Sequence, residues 1–184
     1  MKAIGKLAGE ADWKIVLHRS RNTKNVDQSR IKAKFFAWLV LHKRILTADL
    51  LATKGWPYDP TCQLCLSNPE TASHLCMECP FTVAVWNTID AWSVDKLGPF
   101  SGLHDSVDTA WCKTISSTTS IRARERSGRI IYVMWNVWKE RNMRIFSVMR
   151  QTYLEVAFLA LEEFRQVLSV LHPSGSACVL LRRE

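Results

Sequence analysis

The chain has 184 residues, of which 47% are apolar and 23% charged, with 7 Gly and 6 Pro. This composition is typical of one or two small globular domains and excludes a fibrous or low-complexity protein. No apolar run approaches the ~20 residues that cross a bilayer, and residues 1–9 lack the apolar stretch of a signal peptide. We therefore expect an intracellular protein of the nucleus or cytoplasm, not secreted, in which clustered cysteines bind metal more often than they pair.

The formal charge of +8 is unevenly distributed along the chain. Residues 1–60 carry a net charge of +7, residues 61–120 carry −4 and residues 121–184 carry +5. The isoelectric point is near 9.4, and two basic segments around an acidic middle favour RNA or DNA as a partner. Solvated helix faces rich in arginine are the alternative explanation.

The first predicted element is a helix that begins at Ser29. Its apolar and aromatic residues recur at helical spacing, and they are Ile31, Phe35, Trp38, His42 and Ile45. Basic side chains extend from its flanks: Lys32, Lys34, Lys43 and Arg44. Thr47 is suited to cap a second short helix through Ala52, which Gly55 and Pro57 end.

A third helix is predicted from Phe81 to Trp92, opened by Pro80, because proline is favoured at the first helical position, where an N–H has no helical partner. Residues 94–120 show no sustained periodicity and contain two Gly, one Pro and a run of five Ser or Thr. We interpret this segment as a linker.

The C-terminal third predicts two long helices whose apolar stripes bury each other as a hairpin. The stripe of the first helix consists of Ile131, Met134, Trp135, Trp138, Ile145, Phe146 and Met149. The stripe of the second consists of Leu154, Ala157, Leu161, Phe164, Leu168 and Leu171. Four arginines are expected to project from the side opposite the first stripe: Arg122, Arg126, Arg129 and Arg144.

The residues that carry chemistry are Cys62, Cys65, His74 and Cys79. A C-x2-C turn places two thiolates on one side of a loop, and a His and a Cys returned by the next element complete a tetrahedral ligand set that suits zinc. Four protein ligands leave no open position for water, so we expect one structural zinc rather than a hydrolytic site.

The choice of the fourth ligand depends on the local path of the chain. Thr71 can cap a helical turn that carries His74, and the residue before Pro80 is biased away from α geometry, so the chain should bend at Cys79. Cys76 is the alternative ligand, but two residues from His74 it points away along a helical turn. The other two cysteines are expected to be buried apolar side chains: Cys112 and Cys178.

Six segments have a combined spacing that is highly specific: KFFAWL (34–39), LTADLL (46–51), CQLC (62–65), ETASHL (70–75), CPF (79–81) and VW (85–86). Together they closely resemble the reverse-transcriptase zinc-binding domain of plant non-LTR retrotransposon polyproteins, over about residues 30–92. The later run WNVWKERN (135–142) is similar to a segment that commonly follows that domain. The resemblance implies the same four zinc ligands as the spacing does.

The resemblance does not extend to catalysis. Polymerase chemistry needs paired carboxylates that hold two metal ions, and the chain has no Tyr-x-Asp-Asp run and no adjacent aspartates. We expect a non-enzymatic part of such a polyprotein, without a small-molecule substrate or a membrane partner.

Two functions are compatible with these features. The first is accessory RNA or DNA binding by basic helix faces, with contacts from Lys32, Lys34, Lys43, Arg44, Arg122, Arg126, Arg129 and Arg144. The zinc loop would act only as a staple, since it contains two glutamates and no Lys or Arg between Cys62 and Cys79. The second function is a structural or protein-interaction module that docks to a reverse-transcriptase domain and has no direct nucleic-acid role.

The fold class expected is mainly α: a small zinc-stapled helical module, then a linker, then an α-helical hairpin. The predicted divisions are a polar N-terminal segment (1–28), the zinc-binding helical domain (29–93), the linker (94–120), the hairpin (121–172) and a tail (173–184).

Overall fold

The computed structural model describes residues 24–97, 106–116, 119–147 and 149–171. Within these ranges the structure is mainly helical, as predicted, and its extended pairing is limited to one isolated bridge between Thr61 and Pro69. The helices are α1 (Lys24–Leu41), α2 (Ala48–Thr53), α3 (Pro80–Trp92), α4 (Val107–Ser116), α5 (Ser120–Phe146) and α6 (Tyr153–Leu171), with a π-helical turn over His74–Glu78. The predicted tail, most of the polar N-terminal segment and Cys178 lie outside the described residues.

Helix α1 begins five residues before the predicted start, and it buries a different face from the one expected. The buried residues are Ala33, Phe36, Ala37 and Val40. By contrast, Ile31 and Phe35 are 61% and 59% exposed. The prediction was therefore wrong for Ile31 and Phe35, although Ile45 is buried as expected. The small side chains of Ala33 and Ala37 on the buried face let the backbone of α1 approach its neighbours closely.

Helix α2 has the predicted position but a different N-terminal cap. The Thr47 hydroxyl donates to Asp49 Oδ1 at 2.5 Å instead of accepting from the helix. The first amide, from Ala48, donates to Glu70 Oε1 at 3.2 Å. The helix ends before Gly55, which has a left-handed backbone with φ of 67°, as the sequence indicated.

The segment predicted as a linker contains helix α4. This short helix buries Val107, Ala110, Trp111 and Thr114, which recur at i, i+3, i+4 and i+7. Trp111 Nε1 donates to Ser127 Oγ on α5 at 3.2 Å. These four buried positions have helical spacing. They were too few to be recognised as a helix, because a segment with Gly and Pro precedes them and a run of Ser and Thr follows them. The linker assignment was wrong for these ten residues; the division into domains stays a prediction.

The predicted hairpin is present, with α5 packed along α6. Helix α6 begins with a capping box, in which Glu155 N donates to Thr152 Oγ1 at 3.3 Å and Thr152 N donates to Glu155 Oε2 at 2.7 Å. Both stripes contribute to the core over most of their length. At the turn between the helices the expected burial was wrong, because the following residues are exposed: Ile145, Phe146, Met149 and Leu154.

Helix α5 lies at the centre of the described structure, in contact with α1, α3, α4, α6 and the π-helical turn. The hairpin and the zinc module therefore share one hydrophobic core. In the described part of the chain, no helix has the length and hydropathy that crossing a membrane requires.

Candidate metal centre

The four predicted ligands come together in a single cluster. Cys62 and Cys65 lie on the C-x2-C turn, His74 begins the π-helical turn, and Cys79 immediately precedes α3. One ligand atom from each side chain lies within 4.8 Å of every other. Cys62, His74 and Cys79 are buried and Cys65 is half-buried, so the cluster is largely closed to solvent.

The distances within the cluster fit a tetrahedral zinc ion. Zn–S bonds of about 2.3 Å and a Zn–N bond of about 2.0 Å place two sulfurs roughly 3.8 Å apart and a sulfur and a nitrogen roughly 3.5 Å apart. The Sγ atoms of Cys62 and Cys79 are 3.9 Å apart. The distance between Cys65 Sγ and His74 Nε2 is 3.4 Å. Three thiolates and one imidazole would hold the ion and leave no position for water.

The thiols of Cys62 and Cys79 share a hydrogen bond that lowers the pKa of Cys62 and raises the pKa of Cys79. Backbone N–H groups of Leu64 and Cys65 also donate to the Cys62 sulfur and favour its thiolate. The pair is thus already disposed to lose a proton, which thiolate coordination of a metal requires.

Cys76 does not belong to the cluster. It is 1% exposed, and burial in apolar surroundings raises its pKa to about 12. Of the two alternatives for the fourth ligand, the structure selects Cys79, in agreement with the spacing argument. Cys112 is half-buried rather than buried, which corrects that expectation in part.

A π-helical turn brings His74 and Cys79 to the same side. Cys79 N donates to His74 O at 2.7 Å, the i→i+5 hydrogen bond that defines this geometry. The predicted cap is present, since Thr71 Oγ1 accepts from His74 N at 3.0 Å. The predicted bend is present too, because Cys79 has ψ of 128° immediately before Pro80. The sequence argument identified the need for a bend and missed the π turn.

Two side chains of α3 donate hydrogen bonds to backbone carbonyls of the π turn. Thr82 Oγ1 donates to Leu75 O at 2.8 Å, and Trp86 Nε1 donates to Cys76 O at 3.0 Å. Both interactions are buried. Trp86 is therefore a packing residue, as its position in the helical pattern indicated.

The eight basic residues expected to contact nucleic acid occupy different environments. Four are exposed: Lys32, Lys43, Arg44 and Arg122. Three are half-buried: Lys34, Arg126 and Arg144. Arg129 is 1% exposed, and its Nη2 lies 2.8 Å from Asp95 Oδ2. The expectation that Arg129 projects outwards was wrong, because neighbouring elements cover the arginine side of α5 as well as its apolar side.

The fold and the cluster define a helical protein with a closed Cys3His zinc site. Residues 13–86, about two-fifths of the chain, match the model of a family described as zinc-binding in reverse transcriptase. The matched stretch contains all four residues of the Cys3His group, and the match and the geometry together support one structural zinc at this group. The match covers this accessory domain and includes no polymerase catalytic domain. Comparisons with curated proteins and with solved structures find no significant match.

Proposed function

We propose that the chain is an accessory RNA- or DNA-binding module of a retrotransposon-derived reverse transcriptase, which contacts single strands through the outer face of α1. The observation that carries the proposal is a column of stacked rings on this face, surrounded by basic side chains. We call this surface the α1 face, formed by Ile31, Lys32, Phe35, Trp38, His42, Lys43 and Arg44.

The rings of the α1 face are arranged as a stacking platform. Phe35 and Trp38 have centroids 5.9 Å apart and planes inclined by 14°. Trp38 and His42 have centroids 4.3 Å apart and planes inclined by 29°. Nucleobases stack on such platforms with about 1–3 kcal/mol per base and with little sequence preference. Phe35 is 59% exposed, so one end of the column is open to a base.

Cationic groups surround the platform. The Arg44 guanidinium lies 6.0 Å from the centroid of the Trp38 ring, a cation–π geometry. Lys32 and Lys43 are exposed and can reach phosphates on either side. Burial and the charge of Arg30 lower the pKa of Lys34 to about 8, so this amine is still mainly protonated at pH 7.

The zinc loop does not contribute positive charge to this surface. Its residues between Cys62 and Cys79 include Glu70 and Glu78 but no Lys or Arg, and three thiolates around Zn²⁺ leave the ligand set near −1. The role that fits the zinc is to fix the scaffold from which α1 presents its outer face.

The test is fluorescence anisotropy with labelled single-stranded RNA, single-stranded DNA and duplex DNA over a range of salt concentrations. We expect binding to single strands that weakens steeply with salt, since each phosphate contact contributes about −0.7 to the slope of log K against log salt. Arg44→Gln should make that slope less steep by about 0.7, the contribution of one phosphate contact. Phe35→Ala should weaken binding about 5- to 150-fold with an unchanged slope.

The matched control is Arg150→Gln, which removes one exposed positive charge from the turn between α5 and α6. It should leave the affinity within about twofold. If Arg150→Gln weakens binding as much as Arg44→Gln does, attraction is general and the α1 face is not the site. If no salt-dependent binding is detected, the proposal fails.

A second candidate is docking to a reverse-transcriptase catalytic domain without nucleic-acid contact. Exposed apolar side chains favour it, above all Phe146 at 81% and Met149 at 73% exposure. A purified catalytic fragment should then bind the chain with little salt dependence, and Phe146→Ser should weaken that association. The anisotropy experiment distinguishes the two functions, because this one gives no nucleic-acid binding.

A further inference from the structure

Arg144, near the end of α5, reaches the C-x2-C turn that carries two of the zinc ligands. Its Nη1 donates to Leu64 O at 2.9 Å and to Gln63 O at 3.3 Å. These carbonyls belong to the two residues between Cys62 and Cys65. The arginine lies 80 positions from Leu64 in the sequence and outside the matched domain, which ends at residue 86.

The guanidinium of Arg144 has further contacts with a carboxylate, a backbone carbonyl and an aromatic ring. Its Nε donates to Glu140 Oε1 at 2.7 Å and its Nη2 donates to Gln151 O at 3.3 Å. Its Cζ lies 4.6 Å from the centroid of the Phe81 ring. Glu140 is 0% exposed, so this pair forms in the interior. An arginine fixed in this way is pre-organised for the carbonyls that it contacts.

The two carbonyls identify which peptide units Arg144 orients. Gln63 O shares a peptide unit with Leu64 N, and Leu64 O shares one with Cys65 N. In a trans peptide the C=O and N–H bonds point in opposite directions. Carbonyls turned towards Arg144 therefore turn these two N–H groups away from it, and hydrogen bonds from the same two groups are among the causes that lower the pKa of Cys62.

We infer that Arg144 is a positioning residue of the zinc centre: by binding the carbonyls of Gln63 and Leu64 it fixes the two peptide units that lie between Cys62 and Cys65. The zinc-binding unit of this chain thus extends through α5 to residue 144. Arg144 serves the metal centre instead of the nucleic-acid surface. The inference is independent of the proposed function and stands whether or not the chain binds nucleic acid.

The experiment compares the full chain with Arg144→Gln, Arg144→Lys and two controls. Zinc affinity is measured by competition with a chromophoric chelator, and thiolate coordination by the charge-transfer absorption of the Co²⁺-substituted protein. Arg144→Gln should weaken zinc binding about 10- to 100-fold, the usual effect of removing a group that orients a metal ligand. It should also shift the charge-transfer band, because a thiolate that accepts fewer hydrogen bonds is a stronger electron donor.

Arg144→Lys should retain part of the affinity, since an ammonium can donate to one carbonyl but cannot span two and Glu140 together. This variant also keeps the test decisive if Arg144→Gln does not fold. An affinity and a cobalt spectrum equal to those of the parent in the folded variant would overturn the inference.

The controls separate positioning from general stability. Arg122→Gln removes an exposed charge from the same helix and should change neither measurement. Gly128→Ala perturbs the packing of α5 against α6 at Phe164, sixteen positions before Arg144 on the same helix. The free energy of unfolding is measured for both variants. If Gly128→Ala and Arg144→Gln lower it by a similar amount and also weaken zinc binding equally, the role of Arg144 is structural only.

Discussion

The ion pair between Glu70 and Arg141 joins the zinc loop to α5, and its removal tests how the two parts of the chain are held together. Arg141 Nη2 donates to Glu70 Oε1 at 2.6 Å, and its Nε donates to Glu70 Oε2 at 3.0 Å. The side chains are 7% and 1% exposed. Arg141 also donates to Leu46 O at 3.3 Å, and its guanidinium lies 4.9 Å from the Trp138 ring centroid.

Arg141→Met should lower the free energy of unfolding by about 3–5 kcal/mol, the cost of leaving one partner of a buried ion pair uncompensated. After the substitution the Glu70 carboxylate keeps only one donor among its described partners, Ala48 N at 3.2 Å. For a chain of this size, 1 kcal/mol corresponds to about 2–4 °C, so the Tm should fall by about 6–20 °C. The assays are urea unfolding and thermal unfolding of the zinc-loaded protein, both followed by circular dichroism.

A second variant and an exposed pair complete the test. Glu70→Leu combined with Arg141→Met should recover part of the loss, because no unpaired charge remains in the interior. Arg165→Gln breaks the exposed pair with Glu162, whose side chains are 46% and 34% exposed, and should cost less than about 1 kcal/mol. The reasoning is refuted if Arg141→Met costs no more than Arg165→Gln does.

Three further experiments test the core, a charge network and the metal ligands. Gly128→Ala should cost about 1–3 kcal/mol in thermal unfolding, because the added methyl group meets the buried ring of Phe164; an unchanged Tm would show that the ring moves freely. Asp95→Asn should cost about 3 kcal/mol at pH 7, because Arg129 is buried. The hydrogen bond from Arg126 is the main cause that lowers the pKa of Asp95 from its ordinary value. The ionised carboxylate therefore stabilises the fold at neutral pH. The difference in unfolding free energy between Asp95→Asn and the parent should vanish as the pH falls through that lowered pKa. Native mass spectrometry should find one zinc that is kept with Cys76→Ser and lost with Cys65→Ser; the reverse result would contradict the ligand set.

The zinc ligands could be predicted because the information that places them is local. All four lie within eighteen residues, from Cys62 to Cys79. The Thr71 cap and the bend before Pro80 follow from preferences of neighbouring residues. A ligand set of this kind is therefore readable from spacing before any tertiary contact is known.

The buried face of α1 could not be read from the pattern alone. Two faces of this helix carry apolar residues, one with Ile31 and Phe35 and the other with Phe36 and Val40. Helical spacing favoured the first face, but Ala33 and Ala37 make the second the one that packs closely. Which face is buried depends on the surface that α5 offers, and that surface is defined only once the chain has folded.

The roles of the arginines depended even more on tertiary structure. In sequence, Arg129 and Arg144 belong to the arginines expected to project from the side of α5 opposite its apolar stripe, and Arg141 has no predicted role. In the folded chain, Arg141 pairs with a carboxylate 71 positions away and Arg144 with a carbonyl 80 positions away. The sequence by itself determined the helical class and the metal ligands, because helix periodicity, turns and ligand spacing act over a few residues. Only the tertiary structure decided which charges became internal contacts, because a buried guanidinium is stable only where distant parts of the chain supply its acceptors.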